Sequence, residues 1–361
     1  MDLSYYPVPE SQGGWRYLNG PEEIRAAAGM EPGKLELFCR NHEFVCGGDS
    51  WSIAIIRHGW LVKEIQTFNV ANHSRFDIWS GTKSFTGTAW GLLLDDSRNG
   101  KLPAEKAVDL ENFAYKYIPE GYPLTDPSKE KIKVKHLLSM TSGLPGESTG
   151  LLGMPTAVDS GPFECALGKT ANRFGLWAGK LTAEPGSRWD YSDVGMCHLA
   201  LMFSHITGRE MEDYLRERVL DPIGIENLSW DIQGGSGFMG PHTNPHTGIH
   251  ISARELARFG YLMLKKGKWE DRQLVPEGWV DLATASSQQL NPDYGYTWWA
   301  NTNGTCWPGL PRDMFALMGY RSNKCYVIPS LDLVVARVGS GPVTWHEPGF
   351  INGIVDTVLD R

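Results

Sequence analysis

The two ends of the chain carry strand-like hydrophobic patterns. Trp51 to Arg57 and Trp60 to Thr67 are rich in β-branched and apolar residues, and His58-Gly59 between them suits a tight turn, which predicts a hairpin. Lys324 to Ile328 and Leu331 to Val338 form a second pair of this kind near the end of the chain. These four runs predict strands contributed by both ends of the chain.

The middle of the chain follows helical periodicity instead. The segment from Ser80 to Asp96 contains Gly81, Gly87 and Gly91, each of which would weaken a surface helix by roughly 1 kcal/mol. Gly87 and Gly91 share one face and the rest of the segment is apolar, which predicts a buried central helix that its neighbours approach closely. Further helical signals begin at Asn19 and cover Val134 to Met140, Val194 to Ile206, Glu210 to Leu220, Ser252 to Lys265, and Ile351 to Leu359 as a closing helix.

Strands at both ends with helices between them predict an α+β fold. Residues 1–90 and 290–361 would form one antiparallel sheet flanked by helices, with residues 91–289 as an inserted, mostly helical region. We expect the two parts to form one unit from about residue 15 to residue 360, with a substrate site in the cleft between them.

Composition narrows the class of protein. The chain has 361 residues, 41% of them hydrophobic, which is enough for one large domain or two closely packed ones. Acidic residues outnumber basic ones, 42 against 34, which argues against a nucleic-acid partner. The longest apolar stretches are too short to span a bilayer, so no membrane partner is expected.

Location and assembly are less constrained by the sequence. The N-terminus lacks the basic and apolar regions of a signal peptide, and the six cysteines form no CxxC pair. We therefore expect reduced thiols and a cytoplasmic location, with a trimmed signal as the open alternative. The oligomeric state stays open.

The run Ser80-Gly81-Thr82-Lys83 is the strongest chemical signal. A serine and a lysine three residues apart lie one above the other on a helix. The lysine can then deprotonate the hydroxyl or hold positive charge beside it, which is what turns a serine into a nucleophile. A second copy, Ser128 to Lys131, lies in a charged stretch and predicts only a solvated loop or helix start.

Four blocks, in this order and spacing, resemble the serine β-lactamase and penicillin-binding family, and most closely its class C branch with the related esterases and amide hydrolases. The resemblance covers nearly the whole chain and is specific for the family rather than for a substrate. It implies a β-lactamase/transpeptidase-like fold. The blocks are Phe76 to Gly87, His136 to Pro145, Glu184 to Asp193, and Met318 to Ala336.

The resemblance implies that Ser80 is the acyl-forming nucleophile, with Lys83 beside it. Tyr191 matches the tyrosine of the family's Tyr-x-Asn motif and would shuttle a proton between nucleophile and leaving group. Asp193 stands where the family usually has asparagine. If its carboxylate faces Lys83, it would keep the lysine charged and therefore a poor base. Charged Lys83 would stabilise Tyr191 as a phenolate, which would make the tyrosine the base.

The family's third motif, Lys-Thr-Gly, is altered to Leu317-Met318-Gly319. Losing the lysine removes a cation that would hold a substrate carboxylate, which argues against efficient turnover of β-lactams or peptidoglycan. Gly319 keeps the backbone close to the substrate, and the amides of Ser80 and Tyr320 would form the oxyanion hole. Tyr296 and Trp298 are candidates for the substrate pocket, with core packing as the competing interpretation.

Two other motifs have structural explanations. Gly146 to Gly150 matches the G-x-S-x-G elbow of α/β-hydrolases, but Pro145 precedes it where that elbow needs a strand. His242, His246 and His250 are four residues apart, as on a metal-binding helix. Prolines and glycine between them forbid a regular helix, so we expect loop histidines and no metal.

Together these signals predict a serine hydrolase that cleaves a small ester through a Ser80 acyl-enzyme, without a cofactor. The alternatives within the family are hydrolysis of an amide, a short peptide or a linear oligoamide, and acyl transfer to an alcohol. The alternative of another class is a non-catalytic binding or sensing module that keeps the fold. Intact Ser80, Lys83 and Tyr191 disfavour that alternative.

Overall fold

The computed structural model describes residues 5–149, 161–171, 177–235, 237–342 and 346–359. The first four residues, which enter the signal-peptide prediction, lie outside this part, as do Gly150 of the G-x-S-x-G motif and Asp360. The helices are α1 (Pro21–Ala28), α2 (Pro32–Cys46), α3 (Thr82–Arg98), α4 (Val134–Leu138), α5 (Pro162–Leu167), α6 (Asp193–Thr207), α7 (Met211–Leu215), α8 (Ala253–Leu264), α9 (Glu277–Ala283) and α10 (Glu347–Val355). The strands are β1 (Trp51–Arg57), β2 (Trp60–Gln66), β3 (Phe76–Asp77), β4 (Ser229–Trp230), β5 (Ile232–Gln233), β6 (His242–Thr243), β7 (Ile249–Ile251), β8 (Lys268–Trp269), β9 (Arg272–Gln273), β10 (Trp299–Ala300), β11 (Phe315–Gly319), β12 (Asn323–Ile328) and β13 (Leu333–Gly339).

A six-stranded antiparallel sheet runs in the order β10-β11-β12-β13-β1-β2. The hairpin β1-β2 and the pair β12-β13 are the two strand pairs that the sequence predicts. β1 pairs with β13 from Trp51↔Gly339 to Arg57↔Leu333, so strands from the two ends of the chain are neighbours within the sheet. The predicted α+β fold with a sheet built from both ends is confirmed, while the division at residues 90 and 290 stays a prediction.

Helices cover both faces of this sheet. Successive side chains of a strand point to opposite faces, and every residue of β1 is buried. Ile53 and Ile55 pack in the core that includes α2 and α10, whereas Ala54 and Ile56 belong to the larger core that includes α3 and α8.

Helix α3 is the buried central helix that the glycine pattern predicts. A Cβ at Gly87 would overlap the hydroxyl of Thr297, and one at Gly91 would overlap the indole of Trp279. The two glycines therefore let the neighbouring segments approach the helix axis. This close packing holds α3 rigidly, and α3 carries the predicted nucleophile at its start.

Some elements differ from the predictions. Helix α2 is absent from the sequence analysis, although Leu35, Cys39, His42 and Cys46 form its buried stripe at helical spacing. The closing helix begins at Glu347 and ends at Val355, earlier than predicted, because Pro348 can occupy its first turn. No helix in the described part of the chain is both long enough and apolar enough to cross a membrane.

Candidate active site

Ser80 lies in a 3₁₀ turn, Trp79–Gly81, between β3 and α3. The start of the turn is fixed because Ile78 N donates to Ile249 O at 2.9 Å, where β3 pairs with β7. Trp79 has a left-handed backbone with φ 49°, which is unfavourable for a bulky side chain. Asp77 stabilises it by accepting a hydrogen bond from Trp79 N at 2.8 Å. The turn leaves Ser80 partly exposed.

Lys83 lies one turn further along α3 and is only 1% exposed. Its Nζ donates to Ser80 Oγ at 3.0 Å and to the carbonyl of His246 at 3.3 Å, and it forms an ion pair with Asp193 Oδ1 at 2.7 Å. Three acceptors match the three N–H groups of an ammonium. Burial alone would lower the pKa of Lys83, but the contacts with Asp193 and Tyr191 raise it above its ordinary value. Lys83 is therefore protonated at rest.

Asp193 is the first residue of α6, and Tyr191 comes two residues before it. Ser192 caps the helix by accepting a hydrogen bond from Gly195 N at 3.1 Å, and its hydroxyl donates to Pro145 O at 2.7 Å. This anchoring directs the 4%-exposed Asp193 side chain toward Lys83. The carboxylate at the altered motif position thus faces the lysine, as the sequence analysis considers.

The ring of Tyr191 lies beside the same lysine. Lys83 Nζ is 4.7 Å from the ring centroid, and interactions with Ser80 and Lys83 act to lower the pKa of the phenol. Burial raises the pKa of Tyr191, and the Lys83 charge offsets this only in part. The raised pKa favours a neutral phenol at rest, and the expectation that Tyr191 acts as a phenolate base stays a prediction. A buried neutral phenol is a proton donor rather than a base.

The end of β11 lies against the nucleophile turn. A Cβ at Gly319 would overlap the carbonyl oxygen of Ile78 and crowd the amide of Gly81, so only glycine permits this approach. The next residue, Tyr320, has its ring 5.6 Å from that of Trp79 in an edge-to-face arrangement. Position 320 is thus next to the turn that carries Ser80, which suits the predicted oxyanion hole.

The predicted pocket residues Tyr296 and Trp298 lie elsewhere. Trp298 is fully buried and packs against Phe259 and Phe315, so its assignment to the substrate pocket is wrong. Tyr296 stacks on Trp279, which lies over Gly91, about 12 Å along α3 from Lys83 at 1.5 Å per residue. This packing agrees with the competing interpretation of core packing, and the assignment of Tyr296 to the pocket stays a prediction.

The neighbouring tryptophan is the one that contacts the site. Trp299 is partly exposed and stacks on Tyr191 with ring centroids 6.3 Å apart, and Trp189 and Tyr294 complete this aromatic cluster. Strand β10 begins only at Trp299, and Tyr296 and Trp298 precede it. Whether a face meets the core or the cleft depends on the helices that cover it.

His246 is a site residue that the sequence analysis treats only as a loop histidine. It is fully buried, with Nδ1 3.7 Å from Asp193 Oδ2, and burial lowers its pKa to about 4, so the imidazole is neutral. Its loop is fixed on α3 by the hydrogen bond from Thr86 Oγ1 to Pro245 O at 2.8 Å. His246 thus orients Lys83 through its backbone carbonyl. Among the described residues no three His, Cys, Asp or Glu side chains are arranged to hold a metal.

The two competing serines have structural roles. Ser148 lies in a 3₁₀ turn without a preceding strand, and its hydroxyl donates to Asp190 Oδ2 at 2.5 Å. Ser128 lies in the 3₁₀ turn Pro127–Lys131, where Lys131 is solvated and forms an ion pair with Glu184 at 3.0 Å. Neither serine has the buried lysine partner that Ser80 has.

Comparisons with known proteins agree with this fold. A family model described as Beta-lactamase matches residues 47–347. An uncharacterised protein of Alkalihalophilus pseudofirmus is 23% identical over 294 residues, which are 74% of each chain. A solved structure of a candidate 6-aminohexanoate-dimer hydrolase from Bacillus anthracis has a TM-score of 0.71 at 18% identity, covering 97% of this chain and 88% of that one. EstCE1, a hydrolase with promiscuous acyltransferase activity, has a TM-score of 0.67 at 15% identity, covering 91% of this chain and 98% of that one.

Proposed function

The chain belongs to the β-lactamase family, and from that premise we propose that it is a serine hydrolase that cleaves a small uncharged ester through an acyl-enzyme on Ser80. The observation that carries this proposal is the contact of a partly exposed serine hydroxyl with a buried lysine, which is itself paired with an aspartate. A tyrosine phenol completes the group. This arrangement supplies both the base and the acid that acyl transfer needs.

Acylation begins with proton movement along the chain of contacts. Lys83 is an ammonium and must lose a proton before it can take one from Ser80. Asp193 Oδ1, at 2.7 Å, accepts that proton while Ser80 Oγ gives its own to Lys83 Nζ. After this exchange Asp193 is neutral and one ion pair remains, between the Lys83 ammonium and the forming Ser80 alkoxide, so that the buried charge stays paired.

The tetrahedral intermediate then loses its leaving group. The carbonyl oxygen becomes an oxyanion, which the amides of Ser80 and Tyr320 stabilise by several kcal/mol. The bond to the leaving oxygen breaks, and that oxygen takes the phenol proton of Tyr191. Lys83 returns a proton to Tyr191 and regains one from Asp193, which restores the resting state of all three side chains.

Deacylation follows the reverse path with water. Water enters where the leaving group was and gives a proton to Tyr191, whose own proton moves to Lys83 and on to Asp193. The bond from the carbonyl carbon to Ser80 Oγ breaks, Ser80 takes back a proton from Lys83, and Lys83 regains one from Asp193. The products are the carboxylic acid and the free enzyme, with every proton accounted for.

The choice of an uncharged ester rests on the altered third motif. Position 317 is a buried leucine, so no cation at this point of β11 can anchor a substrate carboxylate. An alkoxide is a better leaving group than an amide nitrogen, and it needs only the one proton that Tyr191 holds.

An amide with a free ammonium group is the second candidate, which Glu147 favours. Glu147 N donates to the carbonyl of Tyr191 at 2.9 Å, and burial together with the Asp193 charge raises the pKa of the Glu147 carboxyl. A cationic substrate group would relieve that repulsion. A candidate 6-aminohexanoate-dimer hydrolase shares the fold, and such a substrate is an amide with one ammonium end.

Labelling with a fluorophosphonate, followed by intact-mass spectrometry, tests the proposal. We expect one adduct on the wild type and none on Ser80→Ala. Ser128→Ala and Ser148→Ala are matched controls and should label like the wild type. No adduct on the wild type would favour the non-catalytic module, and a label lost only in Ser148→Ala would contradict the assignment of Ser80.

Turnover then separates the two candidate substrates. Chromogenic acetate esters should be cleaved by the wild type and not by Ser80→Ala. Glu147→Gln should leave neutral esters unaffected and weaken only substrates that carry an ammonium group. A preference for ammonium-bearing amides in the wild type would favour the second candidate.

A further inference from the structure

Two exposed aromatic rings flank the predicted nucleophile, and the mechanism above gives their side chains no role. Trp79, just before Ser80, is 37% exposed, and Tyr320, just after Gly319, is 67% exposed. Their rings pair edge to face with centroids 5.6 Å apart. We call these two side chains the aromatic rim.

The backbone around the aromatic rim is held in unfavourable conformations. Trp79 has φ 49°, and on the other side Arg321 and Ser322 have φ 58° and 67°. Non-glycine residues in the left-handed region cost of order 1 kcal/mol or more each, and they persist where the surroundings enforce them. At Trp79 the enforcing group is Asp77, which also accepts a hydrogen bond from Gly248 N at 3.3 Å. This strain directs the indole outward rather than into the core.

The aromatic rim is separate from the aromatic cluster around Tyr191. Tyr191 packs with Trp189, Tyr294 and Trp299, and none of these rings pairs with Trp79 or Tyr320 within the described part of the chain. In the proposed mechanism the leaving oxygen must lie at the Tyr191 phenol. The other substituent of the carbonyl carbon is then directed away from that cluster.

We propose that the aromatic rim is the acyl-binding subsite and selects esters with an apolar acyl group of several carbons or one aromatic ring. The inference rests on the proposed function and adds to it the class of acyl group. Two flat and partly exposed aromatic side chains suit a hydrocarbon, because burial of each CH₂ contributes about 0.8 kcal/mol, or about four-fold in kcat/KM. The acyl group remains on Ser80 after the alcohol leaves, so the aromatic rim also contacts the intermediate that water attacks.

Ester series test this assignment by changing one end of the substrate at a time. With p-nitrophenol as the constant leaving group, we expect the wild-type kcat/KM to rise roughly ten-fold or more from acetate to hexanoate or benzoate. Trp79→Asn and Tyr320→Ala should remove most of this rise, measured within each variant as the ratio of kcat/KM for hexanoate to kcat/KM for acetate. Asparagine is chosen because it adopts the left-handed backbone more readily than other non-glycine residues, and alanine at 320 keeps the backbone amide.

A second series holds the acyl group constant and varies the alcohol from methanol to naphthol. The two variants should follow the wild type across this series, since the alcohol lies at Tyr191. Tyr17→Ala is the matched control, because Tyr17 is 62% exposed and pairs with β2 at the far edge of the sheet. It should follow the wild type in both series.

The outcomes separate the two proposals. If the variants fold and keep the acyl-length dependence of the wild type, the acyl subsite is refuted while Ser80-dependent turnover stands. If they change the alcohol series instead, the aromatic rim binds the leaving group and the assignment is overturned. Loss of turnover in the wild type, or its survival in Ser80→Ala, would refute the proposed function itself.

Discussion

Replacing Asp193 by asparagine separates the proton relay from a lysine that acts as a base on its own. Asparagine keeps the shape and one oxygen near Lys83, but it removes the charge and the proton acceptor. At the observed 2.7 Å, two unit charges attract by about 6 kcal/mol at an effective dielectric constant of about 20. The amide dipole of asparagine replaces part of this attraction. We therefore take the net loss of interaction free energy at Lys83 as about 3 kcal/mol, which is near the low end for breaking a buried ion pair.

The pH profile of activity shows the direction in which Asp193→Asn should move the acid limb. In the wild type, the contacts with Asp193 raise the pKa of Lys83. The Lys83–Asp193 pair works without prior loss of a proton. The acid limb of the wild-type activity profile therefore follows protonation of Asp193. In Asp193→Asn the effect of burial on Lys83 is opposed only by Tyr191, so the pKa of the lysine falls. The variant then needs neutral Lys83, so its activity rises with pH and the acid limb moves upward. At pH 7 we expect kcat/KM to fall roughly 100-fold, with recovery at alkaline pH.

The assay is ester hydrolysis across pH, with circular dichroism to verify folding. Asp96→Asn is the matched control, since Asp96 is also a buried carboxylate paired with a cation, but it lies about 20 Å along α3 from Lys83. It should lower stability without moving the acid limb. An Asp193→Asn variant with the wild-type acid limb would refute the relay.

Three further outcomes follow from the described contacts. Gly319→Ala should abolish ester hydrolysis, because its Cβ would displace β11 from the nucleophile turn, while Gly278→Ala, whose Cβ meets nothing within 4 Å, should be neutral in the same assay. Tyr191→Phe should lower kcat by about 10²–10⁴ through loss of the acid, and a loss that is rescued by a better leaving group would support this role. Lys129→Met should lower the free energy of unfolding by about 2–4 kcal/mol in denaturant titrations, because the buried ammonium donates to two backbone carbonyls and a threonine hydroxyl. Lys131→Met, on the surface, should leave the free energy of unfolding unchanged.

Local sequence patterns predict several strands and helices of this fold, because the residues of each element have the spacing that is typical of it. The hairpin β1-β2 follows from β-branched runs and a glycine turn, and the burial of α3 follows from glycines spaced four apart. The convergence of Ser80, Lys83 and Tyr191 was available only through resemblance, because 108 residues separate Lys83 from Tyr191 and no local rule joins them.

Other features depend on tertiary contacts that the sequence pattern does not contain. Trp298 and Trp299 are adjacent in the sequence, but Trp298 belongs to the core because it stacks on Phe259 of α8. The imidazole of His246 lies beside Asp193 only because its loop is bonded to α3. Helix α2 differs, since the spacing of Leu35, Cys39 and His42 is itself a helical signal in the sequence.

The pairing of Lys83 with Asp193 also affects how a substrate reaches the enzyme. Opposite charges 2.7 Å apart produce almost no field at longer range, so this pair gives diffusing molecules little electrostatic guidance toward Ser80. Capture of a neutral ester should therefore be nearly independent of ionic strength. Anionic metabolites, which many related pockets attract through a fixed cation, would gain nothing here and would compete poorly for the cleft.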